Sequence, residues 1–575
     1  LPEKAGLITE LLDGIESPEN LLEFISMQWL SRPNKLATEQ HSQATRTRKT
    51  VVKAALTLAL VTWLWAIAVT SDTLGLDTDL RLQMAHAWWT GTEEVILTPD
   101  MTPKVRGDIR FGVIGKGEKR YIAYEVGQSM LMLPGDWVGT QLHRAFPAID
   151  SLQWRTLAVS FLIFIPLNVA AVVSGFWLLR LFNFDEQIAG LTSITLFLAT
   201  TMLHYAQVPQ QNNQLLLLVT LGYATALAYV HQRQRYFALL SGLALGGALL
   251  IRSTSTLHGL TVLLFLAGCE IYQSRSIAKT FQALLLWVAG FIPLALVSRI
   301  LDDWRYGGFW ATGKIVEQQQ LTTDPMWNGL PDLPANYPWI NDPSVGILGA
   351  LFSPAKSIFL YDPLLVPCLI LGVVLWRKLH PFLKWYLAVG VMNLGLHLLA
   401  YSRFVFWHGD AAWGARYHVT SVHLLLLPLL ALFAQRLLYS RRLKAWVMRG
   451  LIVLAIAIQL ASVAMPRQME ETQTLVGAPG SRLQFRLAQR VINIACLANS
   501  SISTRCSSEL PPKISNYLKE YNSITFLPFS FSQQAIKNPA LAPIARVLFV
   551  IWVVIVAIAV VSTLFYYRPL FLPTG

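Results

Sequence analysis

The sequence predicts an all-α polytopic membrane protein with about twelve transmembrane helices, whose outward, periplasmic loops form a small cap. Three observations predict it. Of 575 residues, 54% are hydrophobic and only 14% charged, against about a quarter charged in an ordinary water-soluble chain. The apolar residues stand in long blocks, such as Leu56–Thr70, Thr156–Leu179 and Val547–Phe565, that carry almost no ionisable group. A helix needs roughly 20 such residues to cross a hydrocarbon core about 30 Å thick. The basic residues, finally, gather at alternate ends of these blocks, as the positive-inside bias requires.

In chain order the spans fall near residues 51–70, 156–180, 187–203, 213–231, 236–251, 256–272, 280–300, 357–376, 383–401, 419–436, 447–465 and 545–566. The first follows a long polar stretch and leads to no small-residue cleavage site, so it reads as a retained helix rather than a signal peptide. The two segments around Arg252 are short, as in a tight hairpin or a broken pair. Arg46, Arg48, Lys49 and Lys53 flank the first span, Arg233 and Arg235 follow the fourth, and Arg275 and Lys279 the sixth. Arg377, Lys378 and Lys384 follow the eighth, and Arg436, Arg441, Arg442, Lys444 and Arg449 the tenth. All of these share one side if the N-terminus is cytoplasmic, which supports the even count.

The chain then divides into a cytoplasmic N-terminal extension (1–49), a transmembrane core (50–436) with outward loops 71–155, 301–356 and 401–418, and C-terminal helices (437–575) with outward loop 466–544. In the extension, Ile8, Leu11, Leu12, Ile15, Leu21, Leu22, Phe24 and Ile25 suggest two short amphipathic helices that lie on the membrane or bind a membrane-complex partner; a disordered tail is the alternative. The net charge of +13 follows from the inward basic bias, and no basic stretch interleaved with aromatics argues for nucleic acid. Of four cysteines, Cys269 and Cys368 lie in apolar blocks as packing residues, whereas Cys496 and Cys506 share the last outward loop, where a disulfide is expected in an oxidising compartment.

The residues that can carry chemistry cluster in the outward loops. Asp77 and Asp79 stand just beyond the first span, followed by Arg81 and by Leu80, Met84, Ala87 and Trp88 at helical spacing. Either acid can cap that helix. Capping does not account for two acids, an arginine and a tryptophan pair at a membrane surface. A carboxylate there can act as a general base, and two carboxylates can hold a divalent cation. His86, His204, His408 and His418 show no paired spacing for zinc, so no metal site is assigned.

This arrangement resembles the GT-C membrane glycosyltransferases, among them the protein O-mannosyltransferases and the aminoarabinose transferases of lipid A. Those proteins carry an acidic motif just after the first transmembrane helix. Here it reads Asp77-Thr78-Asp79-Leu80-Arg81-Leu82 followed by Ala85, with the acids one residue apart where the family has an adjacent Asp-Glu pair. The similarity continues through Tyr121, Tyr124-Glu125-Val126-Gly127-Gln128, Leu131-Met132-Leu133-Pro134, His204-Tyr205-Ala206-Gln207-Val208-Pro209, Leu250-Ile251-Arg252-Ser253 and Leu351-Phe352-Ser353-Pro354. Tyr361-Asp362-Pro363, Trp407-His408-Gly409 and Trp413-Gly414-Ala415-Arg416-Tyr417 complete it, in the family's order up to about residue 436.

The resemblance implies transfer of a sugar from a polyprenyl-phosphate donor to a glycan, lipid or protein acceptor on the outer face of a membrane, a bacterial inner membrane in this reading. Asp77 or Asp79 would be the base. Arg252 and Arg416 would hold the donor phosphate, with Lys356 and Arg81 as further cations. Tyr124, Glu125, Gln128, His204, Trp407, His408 and Tyr417 would line the substrate site. Three rival readings are a twelve-span secondary transporter, a non-catalytic subunit of a membrane complex, and an oligosaccharide ligase or polymerase. The long outward loops and the lack of two similar halves argue against transport.

Overall fold

The computed structural model describes residues 39–95, 112–320, 334, 336–409, 412–438, 443–466, 470, 473, 485–498 and 524–571. The amphipathic helices expected within the first 38 residues lie outside these. The chain divides into two units, Leu1–Leu58 and Ala59–Gly575, and every feature of the site belongs to the second.

Among the described residues the fold is helical, with one two-stranded antiparallel hairpin. Helix α1 (Glu39–Ala68) carries the first apolar block, and α2 (Leu76–Thr90) follows it. Strands β1 (Gly112–Ile114) and β2 (Arg120–Ile122) pair Val113 with Tyr121. Then come α3 (Gly127–Ala145), α4 (Ser151–Leu181), α5 (Glu186–Leu198), α6 (Met202–Gln207), α7 (Asn212–Gln232), α8 (Arg235–Ile251), α9 (Ser255–Ser274) and α10 (Ile277–Tyr306). Helices α11 (Gly313–Gln320), α12 (Pro343–Phe352), α13 (Ile358–Tyr361), α14 (Leu365–Leu375), α15 (Pro381–Tyr401) and α16 (Val419–Leu438) complete the core region. Helices α17 (Leu443–Ala464), α18 (Arg486–Ala498), α19 (Leu527–Lys537) and α20 (Ala542–Phe571) follow.

Nine helices among the described residues are long and apolar enough to cross a membrane, so the chain is a multi-pass membrane protein. They correspond to nine of the twelve expected spans. The other three fall on shorter or interrupted helices. The third expected span is split into α5 and α6 at Ala199–Thr201, where Asp362 takes hydrogen bonds from the Thr201 amide (2.7 Å) and hydroxyl (3.0 Å). The fifth is α8, 17 residues long. The eighth is split into α13 and α14 at Asp362-Pro363, where proline has no N–H for a continuous ladder.

Polar side chains tie the apolar helices together. Asn393 of α15 donates to Thr261 of α9 (2.8 Å) and accepts from Ser421 of α16 (2.6 Å), beside the close ring pair His258–His397 at 4.4 Å. Such bonds matter in a membrane, where lipid offers no substitute partner.

The residues after α1 are packed, not draped. Gly75 adopts φ 89, a left-handed value, and so turns the chain into α2. One face of α2 buries Leu82 and Ala85 against Met132 of α3 and Val159 and Phe164 of α4. Its other face sets Met84 against Val95, Ile122 and Tyr124, with Leu80 and Trp88 alongside. Helix α2 is therefore clamped on both sides, which fixes where its first turn points.

Two buried ionic nodes lock this clamp. Asp136 of α3, with a side chain 0% exposed, binds Arg155 of α4 (2.5 Å) and both His86 (2.8 Å) and Trp89 (2.7 Å) of α2. Glu94 binds Arg305 of α10 (2.8 Å), the Trp88 indole (2.8 Å) and the Ile122 amide (2.8 Å). Arg305 also donates to the carbonyls of Ile122 (2.6 Å) and Tyr124 (3.0 Å), pinning the hairpin and the start of the Tyr124 segment.

Candidate functional site

Asp77 occupies the first turn of α2. One carboxylate oxygen accepts from the Tyr124 hydroxyl at 3.0 Å, and the other from Arg416 Nη1 at 2.8 Å. Arg81, one turn on, donates to the Asp77 carbonyl at 2.9 Å and lays its guanidinium 4.0 Å from the centre of the Tyr124 ring. Three segments far apart in sequence thus converge: the start of α2, the Tyr124–Gln128 stretch, and the residues that precede α16.

The electrostatics follow. Burial alone would raise the Asp77 carboxyl, but the Arg416 and Arg81 charges and the hydrogen bonds from Tyr124 and Arg416 outweigh it and hold the group well below the usual carboxylate range. Burial, and then the Asp77 charge, push the Tyr124 phenol well above its ordinary value, so it remains a donor. Asp77 is ionised at any physiological pH, and its side chain stays 18% exposed.

Further cations surround this pair. Arg416 Nη2 donates to the Tyr417 hydroxyl (3.1 Å), and Arg416 packs on the Tyr417 ring at 5.0 Å. Arg252, at the C-terminus of α8, looks onto the same ring at 6.0 Å, and its charge acts on Arg81. Gln211 holds Arg252 through its side-chain oxygen at 3.2 Å. Glu125 accepts from the Ser253 hydroxyl (3.0 Å), next to Arg252. Lys314 of α11 stands 4.9 Å from the Tyr124 ring. The Nε atoms of Arg81 and Arg416 are buried with no hydrogen-bond partner among the described residues. Orphaned donors on buried cations are costly unless an anion meets them.

Of the residues expected from sequence, Asp77, Arg81, Tyr124, Glu125, Arg252, Arg416 and Tyr417 come together here. Gln128 lies behind them, donating to the Pro209 carbonyl at 2.7 Å beside Thr78, which donates to the same oxygen at 2.9 Å. The remaining candidates lie in other contacts. Asp79 turns away from Asp77, as two residues of helical rotation dictate, and lines a separate cavity. The two acids therefore form no shared pair of cation ligands, and among the described residues no cluster of three His, Cys, Asp or Glu side chains suits a metal.

His204 stacks on Trp413 (6.0 Å), and the buried Lys356 donates to the Ala412 carbonyl (2.5 Å), so both brace the segment that carries Arg416. Trp407 lies against Gly349 of α12, where any Cβ would meet its ring at 2.2 Å, and His408 packs edge-on to Trp407. Gly409, at φ +65, leaves room for the Arg416 side chain, which a Cβ there would strike at 2.6 Å. Cys496 is buried and disulfide-bonded; Cys506, its expected partner, lies outside the described residues.

Sequence reasoning missed Lys314, Glu94, Arg305 and Asp136. None stands at a spacing that marks it; Glu94 and Arg305 meet across 211 residues. For Glu94 and Arg305 an isolated charge beside a loop is the one available signal; Asp136 and Lys314, inside helices, carry none. No protein-family model matches the chain, and no curated protein matches it either.

Proposed function

We propose that the protein is a membrane glycosyltransferase of the GT-C kind. It moves a sugar from a polyprenyl-phosphate donor to an acceptor hydroxyl at the outer face of a membrane, in this reading a bacterial inner membrane crossed twelve times with the N-terminus inside. The observation that carries the reading is the Asp77 constellation: one carboxylate in the first turn of α2, just after the first apolar helix, amid Arg81, Arg252 and Arg416, two of which have buried Nε atoms with no partner among the described residues.

In this mechanism the acceptor oxygen attacks the anomeric carbon and its proton passes to Asp77. The bond from that carbon to the phosphate oxygen breaks, and its electron pair leaves on the polyprenyl phosphate. The arginines stabilise that anion. Attack in a single displacement inverts the anomeric centre.

The resting geometry sets a condition on this chemistry. Asp77 paired with Arg416 is a weak base, because a nearby cation favours its ionised form. A donor phosphate that draws Arg416 toward itself weakens that pairing and raises the basicity of Asp77 as the donor arrives. Donor binding and base activation are then one event.

One observation favours the transporter reading: the His258–His397 pair buried among apolar helices, since ionisable groups at such depth often mark transport paths. The transferase reading is preferred because the cationic cluster lies at the helix ends. The test uses the purified full chain in nanodiscs with radiolabelled polyprenyl-phosphate sugars and membrane-derived acceptors. Label should move from lipid to acceptor; failure with every lipid donor would reject the reading. Orientation is tested separately. A membrane-impermeant thiol reagent applied from outside should label Glu118→Cys and spare Lys378→Cys, and the reverse pattern contradicts an internal N-terminus.

A further inference from the structure

Arg416 lies outside any helix, in the residues that lead into α16, so its place must be fixed by contacts from elsewhere. Those contacts lead back to one buried node. Asp362 accepts from the Thr201 amide (2.7 Å) and from the Thr201 hydroxyl (3.0 Å). The same hydroxyl oxygen meets His423 Nε2 at 3.0 Å. All three residues are buried, so water offers no substitute partner and each bond carries its full weight.

The node holds the Arg416 segment on both sides. Before Arg416, Thr201 seats α6, whose Tyr205 donates to the Trp413 carbonyl at 2.9 Å. Tyr361, next to Asp362, meets the Trp413 ring edge-on at 4.9 Å. Gly414 adopts φ +67 and runs so close to the node that a Cβ there would lie 3.2 Å from Tyr361 and 3.6 Å from Thr201. After Arg416, His423 stands near the start of α16, and its bond to Thr201 ties that helix to the same hydroxyl. The backbone is therefore gripped on either side of Arg416, while Gly409 leaves room for the side chain. A guanidinium that must reach Asp77 in one state and an anion in another needs a fixed root and a free arm.

We propose that Asp362, Thr201 and His423 are positioning residues for Arg416. They act through the segment around it, and the Thr201 hydroxyl, shared between Asp362 and His423, is the joint of the device. The donor phosphate as the anion that Arg416 meets rests on the transferase reading; the hold on Arg416 rests on these contacts alone.

The test is the rate at which phenylglyoxal, an arginine reagent, modifies Arg416 in the full chain in nanodiscs with no donor present, read residue by residue by mass spectrometry. Arg155, held by the sealed Asp136, is the internal control. Thr201→Val keeps the volume and loses only the hydroxyl, and Asp362→Asn loses the acceptor for it. Both should speed modification of Arg416 about fivefold, the scale of one buried hydrogen bond, and leave Arg155 unchanged. Thr201→Ser, which restores the hydroxyl, should return Arg416 to the wild-type rate. Unchanged Arg416 in folded Thr201→Val, an equal rise at Arg155, or Thr201→Ser as reactive as Thr201→Val would each overturn the proposal. Polyprenyl phosphate added to wild type should then shield Arg416; a lack of shielding counts against the donor reading and leaves the result on positioning intact.

Discussion

Asp77 and Asp136 are both carboxylates of the helices between α1 and α4, both paired with arginine, and they behave as opposites. Asp136 is sealed: its side chain is 0% exposed, and Arg155, His86 and Trp89 fill both oxygens from helices on either side. Asp77 keeps 18% exposure and takes one bond on each oxygen, and two arginines beside it hold buried Nε atoms without partners. The first arrangement has nothing left to give a ligand. The second has a surplus of donors and a route to solvent. An unpartnered arginine Nε does not by itself mark a site, since Arg305 in the Glu94 strut has one too; the exposure of the carboxylate beside it is what sets Asp77 apart from the struts.

The largest expected effect breaks the strut. Asp136→Ala leaves Arg155 buried without its counter-charge, which costs about 3–5 kcal/mol. Thermal unfolding in detergent should show this loss, while the molecules that remain folded keep their transfer activity. A loss at Asp136 no larger than that for Asp77→Ala would erase the distinction. Next, Arg416→Lys keeps the charge but not the planar fork that reaches Asp77 and Tyr417 together. Donor-dependent transfer should fall roughly ten- to a hundredfold with little change in thermal stability. The smallest effect is on pH. The folded-state Asp77 carboxyl lies below its unfolded value near 3.9, so its pairing stabilises the fold fully above that value and is lost as pH falls through the folded one. Acidification from pH 5 to pH 3 should therefore destabilise wild type more than Asp77→Asn.

The comparison also shows what a sequence can disclose. Asp77, Arg81, Arg252 and Arg416 were legible because each stands at the junction of an apolar block and a polar loop, where a charge is conspicuous. Tyr124, Glu125 and Tyr417 were legible by resemblance alone. Asp136 sits inside an ordinary helical stretch, and its partners lie 19 to 50 residues away, a separation set by packing and not by any local period. Lys314 was hidden for the same reason. The separation of Asp77 from Asp79 follows from helical rotation once α2 is known to begin at Leu76, but the sequence alone left that start open. The interrupted spans share a cause: apolar runs read as continuous helices, whereas Asp362, serving Thr201 from 161 residues away, marks a break at both.

The central claim is that Asp77 is the base. The measurement is single-turnover sugar transfer from a polyprenyl-phosphate donor by wild type, Asp77→Asn and Asp79→Asn, each shown to be folded and to bind the donor. Asp77→Asn should lose about 10²–10⁴-fold in rate while retaining the donor, and Asp79→Asn should retain transfer at saturating acceptor. Near wild-type transfer by folded Asp77→Asn would contradict the account.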